Sequence, residues 1–104
     1  MFAQDLSQPF ERVMGCSPEE LSLWLDKALP GAQLETSVEQ GGGTCRAGYL
    51  DGSLIIEWET LPIRRIALLA IPQLKVCFSY QGLPMNRRQE VQGYFDRATQ
   101  RGGG

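Results

Sequence analysis

The chain has 104 residues, 42% of them apolar and 21% charged, with a formal net charge of −2. That length fits one domain, 1–104, with a core of its own, and the composition is neither that of a disordered chain nor that of a membrane-spanning one. The slight negative charge speaks against a polyanion-binding surface, which runs on excess Lys and Arg, so no nucleic-acid partner is expected.

Residues 1–14 form a leading segment with few turn or capping signals. The "VMGC" at 13–16 has the form of a lipoprotein cleavage box, but "MFAQDLSQPFER" ahead of it supplies neither the basic nor the apolar stretch that such processing needs. No run approaches 20 apolar residues, so a soluble, cytoplasmic chain with no membrane partner is expected.

Ser17, Pro18 and Glu20 then spell a helix start: an N-cap, a first-turn proline and a capping-box carboxylate three residues on. Leu21, Trp24, Leu25, Ala28 and Leu29 fall on one face of that helix, and Pro30-Gly31 ends it. From residue 33 the apolar period changes to two. Leu34, Thr36 and Val38 alternate with polar neighbours, the glycines 41–43 turn the chain, and "TCRAGYL" follows as a second strand closed by Asp51-Gly52. In "SLIIEWET", Leu54, Ile56 and Trp58 share a face opposite Ile55, Glu57 and Glu59. Pro62 reads as a break, residues 66–71 as a fourth strand apolar on both faces, Pro72 as its turn, and "QLKVCFSY" as the fifth strand. A last helix is capped by Asn86, with Gln89 three residues on, and carries Val91, Tyr94, Phe95 and Ala98 as its stripe; residues 102–104 form a flexible tail.

The expected fold is therefore α+β: a five-stranded antiparallel meander flanked by an N-terminal and a C-terminal helix packed on one face, in the order α-β-β-β-β-β-α. The opposite face, with Glu35, Glu39, Glu57, Glu59, Lys75 and Ser79, then meets water. The doubly apolar strand conflicts with that face. Ile66, Ala67, Leu68 and Leu69 are thus interface candidates, to be covered by the leading segment or by a second copy of the chain.

Chemistry-bearing motifs are sparse. There is no histidine, which removes imidazole bases and the usual triads and dyads. Cys16, Cys45 and Cys77 are far apart and form neither a zinc pattern nor a redox pair, so no metal and no cofactor is expected. Glu57 and Glu59 share a face but lack the desolvation that splits a catalytic carboxylate pair. "GGGT" at 41–44 has no following Lys and helix, so it is a turn rather than a phosphate loop. The final "QRGGG" ends like a ubiquitin-like carrier, but the strand and helix order conflicts with a β-grasp domain.

The run "RRIALLAIPQLKVCFSYQGL" with "YFDRATQRGGG" resembles small uncharacterised proteobacterial proteins, and this resemblance implies no activity, cofactor or site. The leading function is a non-enzymatic interaction module, acting on a protein partner or on itself as a homodimer through the sheet face. The alternative is a small apolar-ligand binder between helices and sheet, lined by Trp24, Trp58, Phe78, Tyr94 and Phe95. An enzyme comes last, for want of a base, nucleophile or metal set.

Overall fold

The Ser17 hydroxyl accepts from the Glu20 amide at 3.1 Å while the Glu20 carboxylate accepts from the Ser17 amide at 3.0 Å, as a capping box requires. That reciprocal cap opens α1 (Pro18–Ala28) in a computed structural model, which describes residues 5–99. The other elements are β1 (Phe10–Met14), β2 (Gln33–Glu39), β3 (Gly42–Tyr49), β4 (Gly52–Ile66), β5 (Leu69–Gln81) and α2 (Met85–Thr99). The five strands form one antiparallel sheet in the order β1-β5-β4-β3-β2, so the fold is α+β with a helix in each terminal half. The proposed tail, 102–104, lies outside the described residues.

Two points of organisation differ from the sequence reading. The leading segment is not loose: Phe10–Met14 precede α1 as an edge strand on β5, so the order is β-α-β-β-β-β-α. Its pattern was masked by Arg12, which occupies a core-facing position between Phe10 and Met14. The Arg12 guanidinium lies 5.0 Å from the Phe78 ring centroid and donates to Asp96 at 2.8 Å, so a charged residue fills an apolar place at low cost. The second difference is that neither Pro62 nor Pro72 ends a strand. β4 pairs with β5 through Leu61↔Gln73, slips, and resumes at Arg64↔Ile71, which leaves Pro62 and Ile63 opposite Pro72. A bulge is where a sheet tolerates residues that cannot donate a ladder hydrogen bond, and both prolines sit in this one.

One face of the sheet carries Phe10, Met14, Cys45, Ala47, Leu54, Ile56, Trp58, Leu74, Val76, Phe78 and Tyr80, all buried under the two helices. Phe78 is the hub: Phe10 stacks on it at 4.9 Å and Phe95 meets it edge-on at 5.1 Å. Trp58 lies across β3, where a Cβ on Gly43 would overlap the indole. Hence only Gly41 of the three glycines serves the turn, with φ +85°, while Gly42 and Gly43 belong to β3 and make room for Trp58.

The stripe of α2 is rotated from the sequence reading. Val91, Gln92, Phe95 and Thr99 are buried, whereas Tyr94 is 44% exposed and Ala98 faces solvent. Gln92 can enter the core because its amide is satisfied: Tyr80 donates to its Oε1 at 2.7 Å and its Nε2 donates to Asp96 at 3.0 Å. Asn86 is not the cap; it lies inside the first turn, and the Pro84 carbonyl accepts from the Arg87 and Arg88 amides.

Candidate functional site

The face of the sheet away from the helices is polar. Its rows follow from the register: Glu11–Cys77–Glu57–Thr44–Ser37 and, next to it, Val13–Lys75–Glu59–Gly42–Glu39. Lys75 lies 3.7 Å from Glu59, and the Cys77 thiol donates to Glu11 at 3.2 Å. Glu39, Thr44, Glu57, Glu59, Lys75 and Cys77 line an open trough of about 450 Å³ on this face. The paired carboxylates Glu57 and Glu59 are both exposed there. A second hollow, about 410 Å³, lies between Gly31, Tyr49 and Arg87, whose guanidinium is already engaged by Asp51 at 3.0 Å and by Glu90.

Past Glu59 and Leu74 the sheet narrows. β3 begins opposite Glu59, β1 ends opposite Leu74, and the Thr60 amide makes the last bond to the β3 side, on the Gly41 carbonyl at 2.8 Å. From there β4 and β5 continue alone to a two-residue turn at Ala67-Leu68. At ~3.3 Å per residue this ribbon extends roughly 20 Å beyond the sheet. It has β-sheet neighbours on neither outer edge. Its side chains are the interface candidates: Leu68 is fully exposed, Leu69 63%, Ile66 44%, and Ala67 is exposed too, with Ile63 at 53% beside them. Arg64 and Arg65 are exposed and have no ion-pair partner among the described residues, and residues 60–73 contain no acid.

Residues 66–71 are therefore not a separate central strand but the tip and returning limb of an arm. Nor do residues 5–14 cover it: Leu6, Phe10 and Met14 are buried in the core, and Arg88 holds the Leu6 carbonyl at 2.7 Å. Residues 1–4 lie outside the described residues. The sequence conceals this turn because Ala67 and Leu68 carry none of the usual turn chemistry, and Ala67 adopts φ +53°, a conformation that favours glycine.

The aromatic residues named as pocket candidates are spread over different environments. Trp58, Phe78 and Phe95 are packed core, Trp24 is half-buried against the same cluster, and Tyr94 leaves it to lie under the Arg97 guanidinium at 5.1 Å. Burial pushes the Cys16 thiol up to about 11, helped by the Glu20 carboxylate, and pushes Cys45 up as well. Cys77 is shifted upward by desolvation and by Glu11. All three are held away from the thiolate form that a nucleophile needs. Among the described residues no group of three or more Cys, Asp or Glu side chains is placed to hold a metal, and no helix is long and apolar enough to cross a membrane.

No protein-family model matches this sequence, and comparison with curated proteins and with solved structures returns no match.

Proposed function

We propose that this chain is a protein-interaction module rather than a catalyst, with the β4–β5 arm as its contact element. One observation carries the reading: a two-stranded ribbon, free on both edges, presents four large exposed apolar side chains, Ile63, Ile66, Leu68 and Leu69, and two unpaired guanidiniums with no acid among them. An isolated two-stranded ribbon is marginal in water, and contiguous exposed apolar surface marks a contact site. Arginine among apolar residues is also the composition favoured where proteins meet. The non-catalytic part draws on a chain without histidine and on three thiols shifted toward their neutral form.

Site-specific photocrosslinking in the native host tests this. A photoreactive residue at position 68 is expected to yield discrete protein adducts, and one at position 23, an exposed leucine on α1, is expected to yield none. Equal labelling from both sites, or adducts to lipid alone at position 68, would refute the reading.

A further inference from the structure

Resting on that reading, we infer that the occupant of the arm is a second copy of this chain. Each arm lies across the acidic open face of the other copy in a reciprocal, twofold exchange.

Charge is the first argument. The arm carries +2, from Arg64 and Arg65 with no acid between residues 60 and 73, so the rest of the chain, with 8 basic and 12 acidic residues, carries −4. That deficit is concentrated on the open face, where Glu11, Glu35, Glu39, Glu57 and Glu59 outnumber Arg46 and Lys75. Lys75 and Arg46 are each taken up by one carboxylate, Glu59 and Glu35, which leaves Glu57 and Glu39 without a cation among the described residues. The unpaired Arg64 guanidinium on the open side of the arm, within an arm of charge +2, and the unpaired carboxylates around the open trough are complementary halves.

Register is the second argument. Along β5, residues 79, 77 and 75 face the open side, and the alternation carries on through Gln73, Ile71 and Leu69. On β4 the extra residue at the bulge shifts the parity, so that Arg64 and Ile66, opposite Ile71 and Leu69, stay on that same side. Without the bulge Ile63 and Arg65 would take those places. The open side of the arm therefore presents Leu61, Arg64, Ile66, Leu69 and Ile71 as one strip continuous with the trough. A twofold axis at the bulge superposes positions equally far on either side of it. Ile66 and Leu69 then fall on the Glu59–Lys75 row of the second copy, and Leu68 reaches its Glu57–Cys77 row. Arg64 comes within side-chain reach of the carboxylates, and Val13, 57% exposed on that row, adds apolar contact. Because each copy gives an arm and receives one, the contact closes on itself and does not propagate into a filament. Arm-to-arm pairing is the weaker arrangement, since it would crowd four guanidiniums together.

Two charge-reversed proteins test the exchange. One carries Arg64→Glu and Arg65→Glu, the other Glu57→Arg and Glu59→Arg, all at exposed positions, so each is expected to fold, and to melt like the parent when both are compared at a dilution where both are monomers. By sedimentation equilibrium the parent is expected at twice the chain mass of 11.6 kDa. Each variant alone opposes like charges and should dimerise about a hundredfold more weakly, while an equimolar mixture should regain the parental association as a heterodimer. A parent that stays at 11.6 kDa at its highest soluble concentration overturns the self-exchange, as does a mixture that remains monomeric or a pair of variants that both still dimerise. A monomeric parent that binds anionic vesicles through Leu68 overturns it too, and assigns the arm to a lipid surface. If the parent is monomeric yet position 68 crosslinks to a different protein, only the self-exchange falls; if position 68 gives no adduct, the interaction reading falls with it.

Discussion

Between Gly52 and Glu59, β4 lies in the middle of the sheet with β3 on one side, β5 on the other and the helices above; from Thr60 to Ile66 the same strand has β5 alone. The inner half buries Leu54, Ile56 and Trp58, while the outer half leaves Ile63 and Ile66 half-exposed in spite of a sequence just as apolar. Apolar content therefore does not decide burial here. What decides it is whether flanking strands and covering helices are present, and β3 and β1 end before the arm begins. One hairpin thus contains a segment that stabilises the fold and a segment that the fold merely holds out.

The largest expected effects lie in the inner half. Phe78→Ala removes the ring against which Phe10 and Phe95 pack, and should cost about 3–5 kcal/mol. In a domain of this size that lowers Tm by more than about 10 °C. Leu68→Ala should stay within about 0.5 kcal/mol of the parent when both are measured as monomers. Comparable losses at the two positions in chemical denaturation would mean that the arm is folded into the body, and the contrast would collapse.

Alkaline pH offers a second separation, because the arm has no Cys, Tyr or carboxylate to titrate. In the body, burial raises Cys16 from 9.0 to about 11, and Tyr80 and Cys45 shift upward as well. The folded state thus holds these protons more tightly than the unfolded one. Stability from Cys16 is complete below pH 9, declines as the unfolded thiol ionises first, and is gone above pH 11. Two pKa units correspond to about 2–3 kcal/mol. Tm should fall across that window, and Cys16→Ala should flatten the fall; an unchanged slope would show that Cys16 is not the group responsible.

Much of the body was legible. The Ser17 capping box, the periodicity of α1 and the alternation of β2, β3 and inner β4 all depend on local chemistry, and local chemistry is what a sequence displays. Where the structure departs from the local pattern, the cause is different: a residue's usual meaning is overridden by a partner far along the chain. Arg12 has the chemistry of a surface residue and takes a core-facing place only because Asp96 and Phe78 are beside it, and Gln92 is left out of the expected α2 stripe although Tyr80 donates to it in the core. Pro62 and Pro72 each read as strand ends, and only their meeting in one bulge makes both compatible with continuous strands. Two-sided apolarity makes the candidate residues Ile66–Leu69 conspicuous in the sequence. Their setting, an arm and not a strand, was hidden because the tip lacks turn residues.

Gly43 sharpens the account of the inner half. Its value is space rather than turn geometry, so Gly43→Ala should push against the Trp58 indole and destabilise by about 1–3 kcal/mol. Indole fluorescence should shift with it. If the variant is as stable as the parent and spectrally silent, Trp58 does not rest on β3.

The smallest effect is the most specific to the arm. Ala67 holds φ +53° at the first position of a two-residue turn, where a side chain is disfavoured and glycine is the usual choice. Ala67→Gly relieves that conformation, although glycine also gives the unfolded chain more freedom, so the net gain is limited to roughly 0.4–1 kcal/mol. The arm can open without unfolding the body, so the gain should be local. In hydrogen exchange, the amides of residues 61 and 63–71 should become about two- to fivefold more protected, while those of Leu54, Ile56 and Phe78 and the global Tm stay unchanged. A rise in Tm with no change in arm protection would show that the turn belongs to the same cooperative unit as the core, and that the two halves of the hairpin are not energetically separate.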